Sequence, residues 1–285
     1  MTIFLPLFYL LIGWLIGKTS WDIKVAISGL LTKFIIPIVI IFNISTHFNS
    51  MGGIIIVTAL SMISLLGISR IFSRDPVTNL CFSYLNIGWL GLPVASTLFG
   101  DEASMIVISA YVGSSIIGNS IGAGLLSGRA TDLKSIFKTP PIIALCIGIV
   151  LIPFEDEVQY VGEDIYKVAK FLMSFIGMAI LGIWLSKIKI SIQDFRNEIS
   201  VFLVRSGVIA GLVTLLLFIS FICDNKLITN NFSTLYLFCL LPPAANIIVL
   251  ETRYLDSGRS ARSISCGTCI SIISIAIYAV FILGG

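Results

Sequence analysis

The sequence predicts an all-α membrane protein with ten transmembrane helices, on the basis of its composition, its apolar segments and the placement of its charges. Of the 285 residues, 57% are hydrophobic and 12% are charged, whereas ordinary soluble domains have about 45–50% and about 25%. Apolar segments of bilayer length recur along the whole chain and leave no length for a soluble domain. The net charge of +3 lies in short connections, so it predicts a membrane surface and no nucleic-acid partner.

Ten apolar segments have the length of a membrane span. In chain order they are residues 2–17, 30–46, 52–69, 77–99, 103–126, 139–154, 165–186, 199–222, 232–252 and 260–283. The first segment lacks the basic start and the cleavage pattern of a signal peptide, so it is predicted to be a span. The CxxC pair Cys266 and Cys269 has no second pair or histidine nearby. It therefore predicts packing residues, with no metal site and no cofactor.

The basic residues predict the orientation of the spans. Fifteen of the 18 lysines and arginines lie in the odd-numbered connections and three on the opposite side. The positive-inside rule then places the odd connections in the cytoplasm and both termini outside. The acidic run "EDE" at 155–157 falls in the sixth connection, where it is predicted to be a solvated loop.

Five spans on each side of the cytoplasmic stretch "SGRATDLKS" indicate an internal duplication. An odd number of spans per copy makes the two copies insert with opposite orientation. The predicted units are a first five-helix repeat at 1–127, a linker at 128–138 and a second, inverted repeat at 139–285.

The fourth and ninth spans each contain a proline and an asparagine in their apolar middle. The fourth reads "NIGWLGLPVAS" with Asn86 and Pro93, and the ninth reads "LLPPAANIIVL" with Pro242 and Asn246. Proline cannot donate to the helical ladder and disfavours helical geometry in the residue before it, so we predict a break at each proline. A pair of broken helices at equivalent places is typical of a transporter's binding site.

A break of this kind favours an anionic ligand. The amide groups that begin the second half-helix carry positive partial charge and can hold an anion without a buried lysine or arginine. Gly88 and Gly91 have no side chains, which allows the ninth span to cross closely. Asn86 and Asn246 add neutral donors and acceptors.

These residues also carry a family resemblance. The stretches "NIGWLGLPVASTLFGDEAS" and "LPPAANIIVLETRY" resemble the fourth-span and ninth-span patterns of the auxin efflux carrier family, in its short bacterial form. The resemblance implies two inverted five-helix repeats whose broken helices cross at their prolines, in a cell-membrane carrier of small organic anions. Family substrates include auxin in plants and dicarboxylates such as malate or malonate in bacteria, and the implied movement is of elevator type.

The resemblance implies a substrate site on the two broken helices, formed by Asn86, Gly88, Gly91, Pro93, Pro242, Ala244 and Asn246. This chain departs from the family in the doubled proline at Pro243, which leaves the position of the ninth-span break open by one residue. It also lacks the long middle loop of many plant members. No catalytic residue is predicted.

Several alternatives stay open at the level of sequence. A sodium-coupled symporter of the bile-acid-carrier type shares the crossed-helix plan, and a channel or a membrane receptor would also fit ten spans. The coupling ion is open between Na⁺ and H⁺, and glycines in the fifth span permit contacts within one subunit or in a homodimer. An enzyme is disfavoured, because the single histidine has no partner in a recognisable spacing. Arg205, two turns inside the eighth span, is expected to extend its side chain to the headgroups, with attraction of an anion as the alternative.

Overall fold

The structure is a computed structural model that describes residues 5–19, 26–27, 30–128, 140–187, 191–255 and 257–283. Within these ranges the regular structure is helical, apart from one isolated bridge between extended residues Leu85 and Pro243. The all-α prediction is confirmed for the described residues. The predicted linker lies almost entirely outside them.

The α-helices of the described residues are α1 Leu5–Gly17, α2 Ile36–Phe72, α3 Pro76–Ser83, α4 Leu92–Phe99, α5 Asp101–Ile117, α6 Ala123–Ser127, α7 Pro140–Leu151, α8 Glu155–Lys187, α9 Ile192–Ile222, α10 Lys226–Asn230, α11 Phe232–Leu237, α12 Asn246–Leu255 and α13 Ser260–Leu283. Single π-helical turns precede α2, α4 and α6, at Leu31–Ile35, Ile87–Gly91 and Gly118–Gly122. Short 3₁₀ turns lie at Ile152–Phe154 and Phe238–Leu240.

Four helical stretches are long and apolar enough to cross a membrane, by length and composition. They are Gly52–Phe72, Ile87–Ile117, Ile192–Ile222 and Ser260–Leu283. Large apolar side chains on three of these stretches are exposed, including Leu60 on α2, Phe218 on α9 and Phe281 on α13. Exposed apolar surface of this extent is typical of helices that contact lipid. Ten separate spans and the inverted repeat remain predictions.

The second and third predicted spans form one helix, which differs from the prediction. α2 runs for 37 residues without a break, which corresponds to about 55 Å at 1.5 Å per residue. The predicted connection at 47–51 contains no proline. Every residue there can therefore donate to the helical ladder, and the polar residues alone do not end it.

The acidic run at 155–157 is the first turn of α8, so the prediction of a loop is wrong there. Glu155, Asp156 and Glu157 occupy the amide end of this helix. Carboxylates at that position interact favourably with the free amides and with the helix dipole. The acidic sequence thus favours the start of a helix as well as solvation.

α5 is the central helix of the core. Every residue from 103 to 115 is buried, and α2 packs closely against it. A Cβ atom at Gly113 would lie 3.2 Å from the carbonyl carbon of Ile55 on α2. The absence of a side chain at Gly113 therefore allows α2 and α5 to approach each other. This contact holds α5 next to the breaks in the fourth and ninth predicted spans.

α1 lies against α8 with glycines at the contact. A Cβ atom at Gly182 would lie 2.6 Å from the backbone nitrogen of Trp14, and one at Gly13 would overlap the carbonyl group of Ala179. Tyr9 adds an edge-to-face contact with Phe175, at 5.1 Å between ring centroids. The two backbones are therefore in direct contact, as small residues permit in membrane helices.

One end of the helices joins three odd-numbered connections by ion pairs. Arg259 lies 3.2 Å from Asp75, and Arg262 lies 3.3 Å from Asp194. Partial burial acts to raise the pKa of Asp75, but hydrogen bonds from Thr78 and the charge of Arg259 hold it below its ordinary value. The third, seventh and ninth connections thus meet at one end.

The opposite end joins even-numbered connections. Lys170, near the start of the seventh predicted span, lies 2.7 Å from Asp101. The side chain of Asn231 donates to Glu102 at 3.2 Å. The fourth and eighth connections and the start of the seventh predicted span therefore meet at this end.

The side chain of Glu251, on α12, caps the start of α13. Its carboxylate is fully buried and accepts hydrogen bonds from the backbone N–H groups of Arg259, at 2.7 Å, and Ser260, at 2.8 Å. These are amides at the start of a helix, which have no acceptor within the helix. The carboxylate satisfies them and compensates the positive end of the dipole.

We expect Glu251→Ala to lower the free energy of unfolding by about 1–3 kcal/mol, because buried amide donors would lose their acceptor. Thermal unfolding of the purified protein in detergent measures the change. Asp164→Ala removes an almost fully exposed carboxylate and serves as the control, with an expected effect close to zero. Equal melting temperatures for the two variants would contradict this account of the cap.

Candidate functional site

The fourth and ninth predicted spans are both broken, and the extended segments at the breaks cross each other. The N–H group of Asn86 donates to the carbonyl oxygen of Pro242 at 2.8 Å, and the N–H group of Ala244 donates to the carbonyl oxygen of Tyr84 at 2.8 Å. Leu85 and Pro243 form the antiparallel bridge between these two bonds. Each segment thus supplies partners for the backbone groups that the other's helix leaves free, which a membrane interior requires.

The doubled proline explains the break in the ninth span. Leu241 and Pro242 each precede a proline and are therefore disfavoured in helical geometry. Leu241 is extended, with φ −75° and ψ 142°, and α12 begins at Asn246. The break thus spans 241–245 and includes both prolines, which resolves the one-residue question that the doubled proline raised.

The break in the fourth span lies earlier than predicted. α3 ends at Ser83 and Tyr84 is extended, whereas Pro93 lies inside the second half-helix, near the start of α4. The prediction of a break at Pro93 is wrong. The π-helical turn before Pro93 accommodates it, because Gly91 and Leu92 donate to carbonyls five residues earlier instead of four. This wider turn continues into α4 through the proline.

A small cavity lies at the crossover, with a volume of about 10 Å³. Its lining comes from both broken segments and from α5: Tyr84, Leu85, Asn86, Ile87, Gly88, Trp89, Tyr111, Ala244, Ala245 and Asn246. A space of this size is at the lower limit for a single water molecule. The described conformation therefore has no room for an organic ligand at the crossover.

The structure brings together four of the seven residues that the sequence predicts for the site. These four, which all line the small cavity at the crossover, are Asn86, Gly88, Ala244 and Asn246. The other three do not line it. Pro242 accepts the Asn86 hydrogen bond, Gly91 packs against Leu241 of the ninth span, and Pro93 is buried in α4.

One buried donor at this cavity, the Asn86 Nδ2 group, has no hydrogen-bond partner among the described residues. A buried polar group without a partner in a native structure needs a physical explanation. The Tyr84 hydroxyl lies within reach of the side chains of Ser115, Asn119 and Asn246. The amide ends of the Ile87–Gly91 turn and of α12 also lie here, where Ile87, Ile247 and Ile248 donate to carbonyls just before each helix.

Sequence reasoning missed Tyr84 and Ser115. The signal for Tyr84 is its spacing from Asn86, because alternate residues of an extended segment lie on the same face. That signal is readable only once the break is placed at 84–86. Ser115 lies on α5 near the Tyr84 ring and becomes relevant only through tertiary packing.

Arg205 is fully buried, so the expected extension of its side chain to the headgroups is wrong. Its guanidinium donates to the carbonyl oxygens of Cys81 and Leu241, at 3.1 Å each. These carbonyls belong to the ends of the first half-helices of the fourth and ninth spans. Arg205 therefore compensates both negative helix ends at the crossover.

A second residue of α9 reinforces this contact. The hydroxyl of Ser206 donates to the carbonyl oxygen of Cys239 at 2.6 Å, in the 3₁₀ turn that ends the first half of the ninth span. Arg205 and Ser206 thus bind two carbonyls of one helix end, at Leu241 and Cys239. A cation compensates the carbonyl ends, whereas no acidic side chain lines the cavity at the amide ends, an arrangement that suits a negatively charged ligand.

A second cavity, of about 320 Å³, lies on the other face of the same extended segment. Leu85 and Ile87 line both cavities, Ser83 lines only the larger one, and Tyr84, Asn86 and Gly88 line only the smaller one. The rest of the larger cavity's lining comes chiefly from apolar residues of α2 and α9. The broken segment of the fourth span therefore lies between the two cavities.

The helical architecture and the apolar helices of spanning length define a multi-pass membrane protein. No family model matches the chain, so the resemblance to auxin efflux carriers stays a prediction. The chain is similar to a protein of Methanocaldococcus jannaschii named as an uncharacterized transporter, with 29% identity over 209 residues. The match covers 70% of this chain and 65% of the relative, slightly less than two thirds of the relative's length.

Proposed function

We propose that the chain is a secondary carrier of small organic anions, of the auxin efflux carrier type, with its binding site at the crossover. The observation that carries the proposal is the electrostatic asymmetry of the crossing. Arg205 occupies the carbonyl ends of two half-helices, while the amide ends lie at a cavity that is lined by no acidic side chain and by the unpartnered Asn86 Nδ2 group. Helix amide ends and neutral donors are a suitable site for a carboxylate.

The small volume of the crossover cavity supports a transport mechanism in which the carrier changes conformation. A dicarboxylate is far larger than the space of about 10 Å³ at the crossover, so the segments around it must separate before an anion enters. We propose that the part of the molecule that bears the crossover moves against the rest, in an elevator type of alternating access. A channel would instead need a continuous water-filled path.

The position of Arg205 disfavours the sodium-coupled alternative. Backbone carbonyls at broken helices are the groups that hold coupling Na⁺ in transporters of that kind. In this chain the carbonyls of Cys81 and Leu241 already accept from the guanidinium. We therefore expect anion transport to persist when choline replaces Na⁺.

The test is counterflow of labelled malate, malonate and indole-3-acetate in proteoliposomes. We expect Asn86→Ala and Asn246→Ala to lower the transport rate at a fixed low substrate concentration by about 10-fold to 100-fold. A hydrogen bond to a charged group contributes about 1.5–3 kcal/mol, which corresponds to this range.

Asn43→Ala is the matched control for these variants. Asn43 is also a buried asparagine, but its amide donates to the Val39 carbonyl of its own helix at 2.8 Å. Its Oδ1 also accepts from the Tyr166 hydroxyl at 3.4 Å, and neither partner lines the crossover cavity. We expect its replacement to leave the transport rate within about threefold of the unchanged protein, since only ordinary hydrogen bonds away from the crossover are lost. If all three variants transport equally, the assignment of the site to the crossover is wrong.

A further inference from the structure

We infer that Glu198 is a proton-binding site whose ionisation sets the affinity of the crossover for its anion. This inference rests on the proposed function for the identity of the anion. It depends on an ionisable group that the sequence analysis did not single out. Glu198 lies on α9, seven residues before Arg205, and two helical turns on the same face separate the two side chains.

Glu198 is buried, and only one of its two carboxyl oxygens has a hydrogen-bond partner among the described residues. Its side chain is 7% exposed. Oε2 accepts a hydrogen bond from the Ser263 hydroxyl at 2.6 Å, whereas Oε1 has no partner among the described residues. An ionised carboxylate in this position would be expected to use both oxygens, whereas a protonated carboxyl has only one remaining strong acceptor. The site therefore accommodates either form.

The carboxyl group lies directly behind the crossover. A Cβ atom at Gly267 would lie 3.4 Å from Glu198 Oε1, 2.8 Å from the Pro243 ring and 3.6 Å from Pro242. Gly267 therefore leaves the carboxyl close to the two prolines at the ninth-span break. A change of charge at Glu198 acts on the segment that lines the anion site.

Ionisable groups face Glu198 from each element packed around it. They are Arg205 on α9 itself, Cys81 on α3 and Cys266 on α13, and the charges of Asp194 and Arg262 act on Cys266 beside them. Arg205 is the buried cation of this set and favours the ionised carboxylate, while the loss of water around Glu198 favours the protonated form. Since the two effects oppose each other, a movement of Arg205 changes the proton affinity of Glu198.

A route for the proton begins at the end of the helices that carries the odd-numbered connections. The ion pair of Asp194 and Arg262 lies there, with the arginine side chain 66% exposed. Asp194 is one turn before Glu198 on α9, and Arg262 immediately precedes Ser263 on α13. The carboxyl group of Asp194 at the surface and the buried carboxyl group of Glu198 are therefore one helical turn apart. A proton from water at this end adds to Oε1 and leaves by the same route.

Charge balance links this proton to the anion. With Glu198 ionised, its charge and that of Arg205 sum to zero, and a bound monoanion gives the buried site a net charge of −1. With Glu198 protonated, the monoanion balances Arg205 and the net charge is zero. Uncompensated charge is costly in a medium of low dielectric constant. Proton binding therefore strengthens anion binding, and by reciprocity the anion strengthens proton binding.

The first experiment needs no substrate. Infrared difference spectra of the full-length protein in lipid nanodiscs, between pH 9 and pH 5, should show a protonated carboxyl band that is present in the unchanged protein and absent in Glu198→Gln. Glu198→Asp should restore a titrating band. Asp164→Asn, which removes an exposed carboxyl group, should retain the Glu198 band. If the spectra of the unchanged protein and Glu198→Gln are identical over this range, Glu198 does not exchange a proton and the inference is overturned.

The second experiment measures the coupling. Counterflow of labelled malonate in proteoliposomes is measured between pH 6.5 and pH 8.5, with the KM determined at each pH. We expect the KM to rise with pH by up to 10-fold per unit in the unchanged protein, the limit for one linked proton, and to be independent of pH in Glu198→Gln. Equal pH dependence in both proteins would overturn the coupling while leaving the carrier function in place. Failure to transport any of the three anions would instead contradict the proposed function, and the infrared band would still decide the proton site.

Discussion

Replacement of Arg205 by Met should lower the free energy of unfolding by about 3–5 kcal/mol, the cost of breaking a buried charged contact by removing one partner. The guanidinium donates to carbonyls from both broken helices, at Cys81 and Leu241. Without it, two helix ends with negative partial charge face each other in a buried site, and Glu198 loses its counter-charge. Met has a similar length and no donors, so the effect reports the lost charge and hydrogen bonds rather than a large cavity.

Thermal and denaturant unfolding of the purified variants in detergent measure this effect. Arg196→Met, on the exposed surface of the same helix, is the matched control and should change the stability by less than about 0.5 kcal/mol. Arg205→Lys should be intermediate, because one ammonium lacks the fork geometry that reaches two acceptors. The double variant Arg205→Met with Glu198→Gln should be more stable than Arg205→Met, since it no longer contains an unpaired buried carboxylate. Equal stability of Arg205→Met and Arg196→Met would refute this role for the guanidinium.

The electrostatics of the crossover depend on how each of the two kinds of helix end is compensated. A broken membrane helix has one carbonyl end and one amide end at the break, and both need compensation in a medium without water. In this chain a resident cation on α9 compensates the carbonyl ends. The amide ends carry positive partial charge, and no acidic side chain lines the cavity beside them. Under the proposed function, the bound anion compensates these ends.

The sequence was sufficient to predict which two spans are interrupted and that Asn86 and Asn246 lie near the interruptions. Prolines and mid-span asparagines are local features, and Asn86 and Asn246 do line one cavity. The position of the fourth-span break was not predictable from Pro93 alone. A proline can be accommodated by a π-helical turn, whereas the unwinding at 84–86 is stabilised by hydrogen bonds from the ninth span. Those bonds exist only after the two halves have packed.

The same distinction explains Arg205 and α2. An arginine two turns inside a span is expected to reach the headgroups unless the interior offers acceptors. The acceptors here are carbonyls at 81 and 241, which are distant in sequence and become available through tertiary contact. In α2, polar residues indicated a connection, but nothing at 47–51 prevents helical hydrogen bonding and the helix continues. Composition predicts burial better than it predicts where a helix ends.

The contact between α1 and α8 gives the second large effect on stability. We expect Gly182→Ala to lower the free energy of unfolding by about 1–3 kcal/mol, the usual cost of overpacking a close contact. The new methyl group would overlap the Leu10 carbonyl group and would lie 2.6 Å from the Trp14 backbone nitrogen. Backbone atoms cannot rotate away as a flexible side chain could, so the helices must separate along their contact.

Gly207→Ala on α9 is the matched control for this variant, because it is also a glycine within a helix of spanning length. A Cβ atom there meets no atom within 4 Å. Its replacement should leave the stability unchanged or raise it by up to about 1 kcal/mol, since alanine favours a helix interior over glycine. Opposite signs for the two glycines in thermal unfolding would establish that backbone contact, rather than helix propensity, determines the effect at 182. If both variants were stabilised equally, α1 and α8 would not be in the close contact that the structure shows.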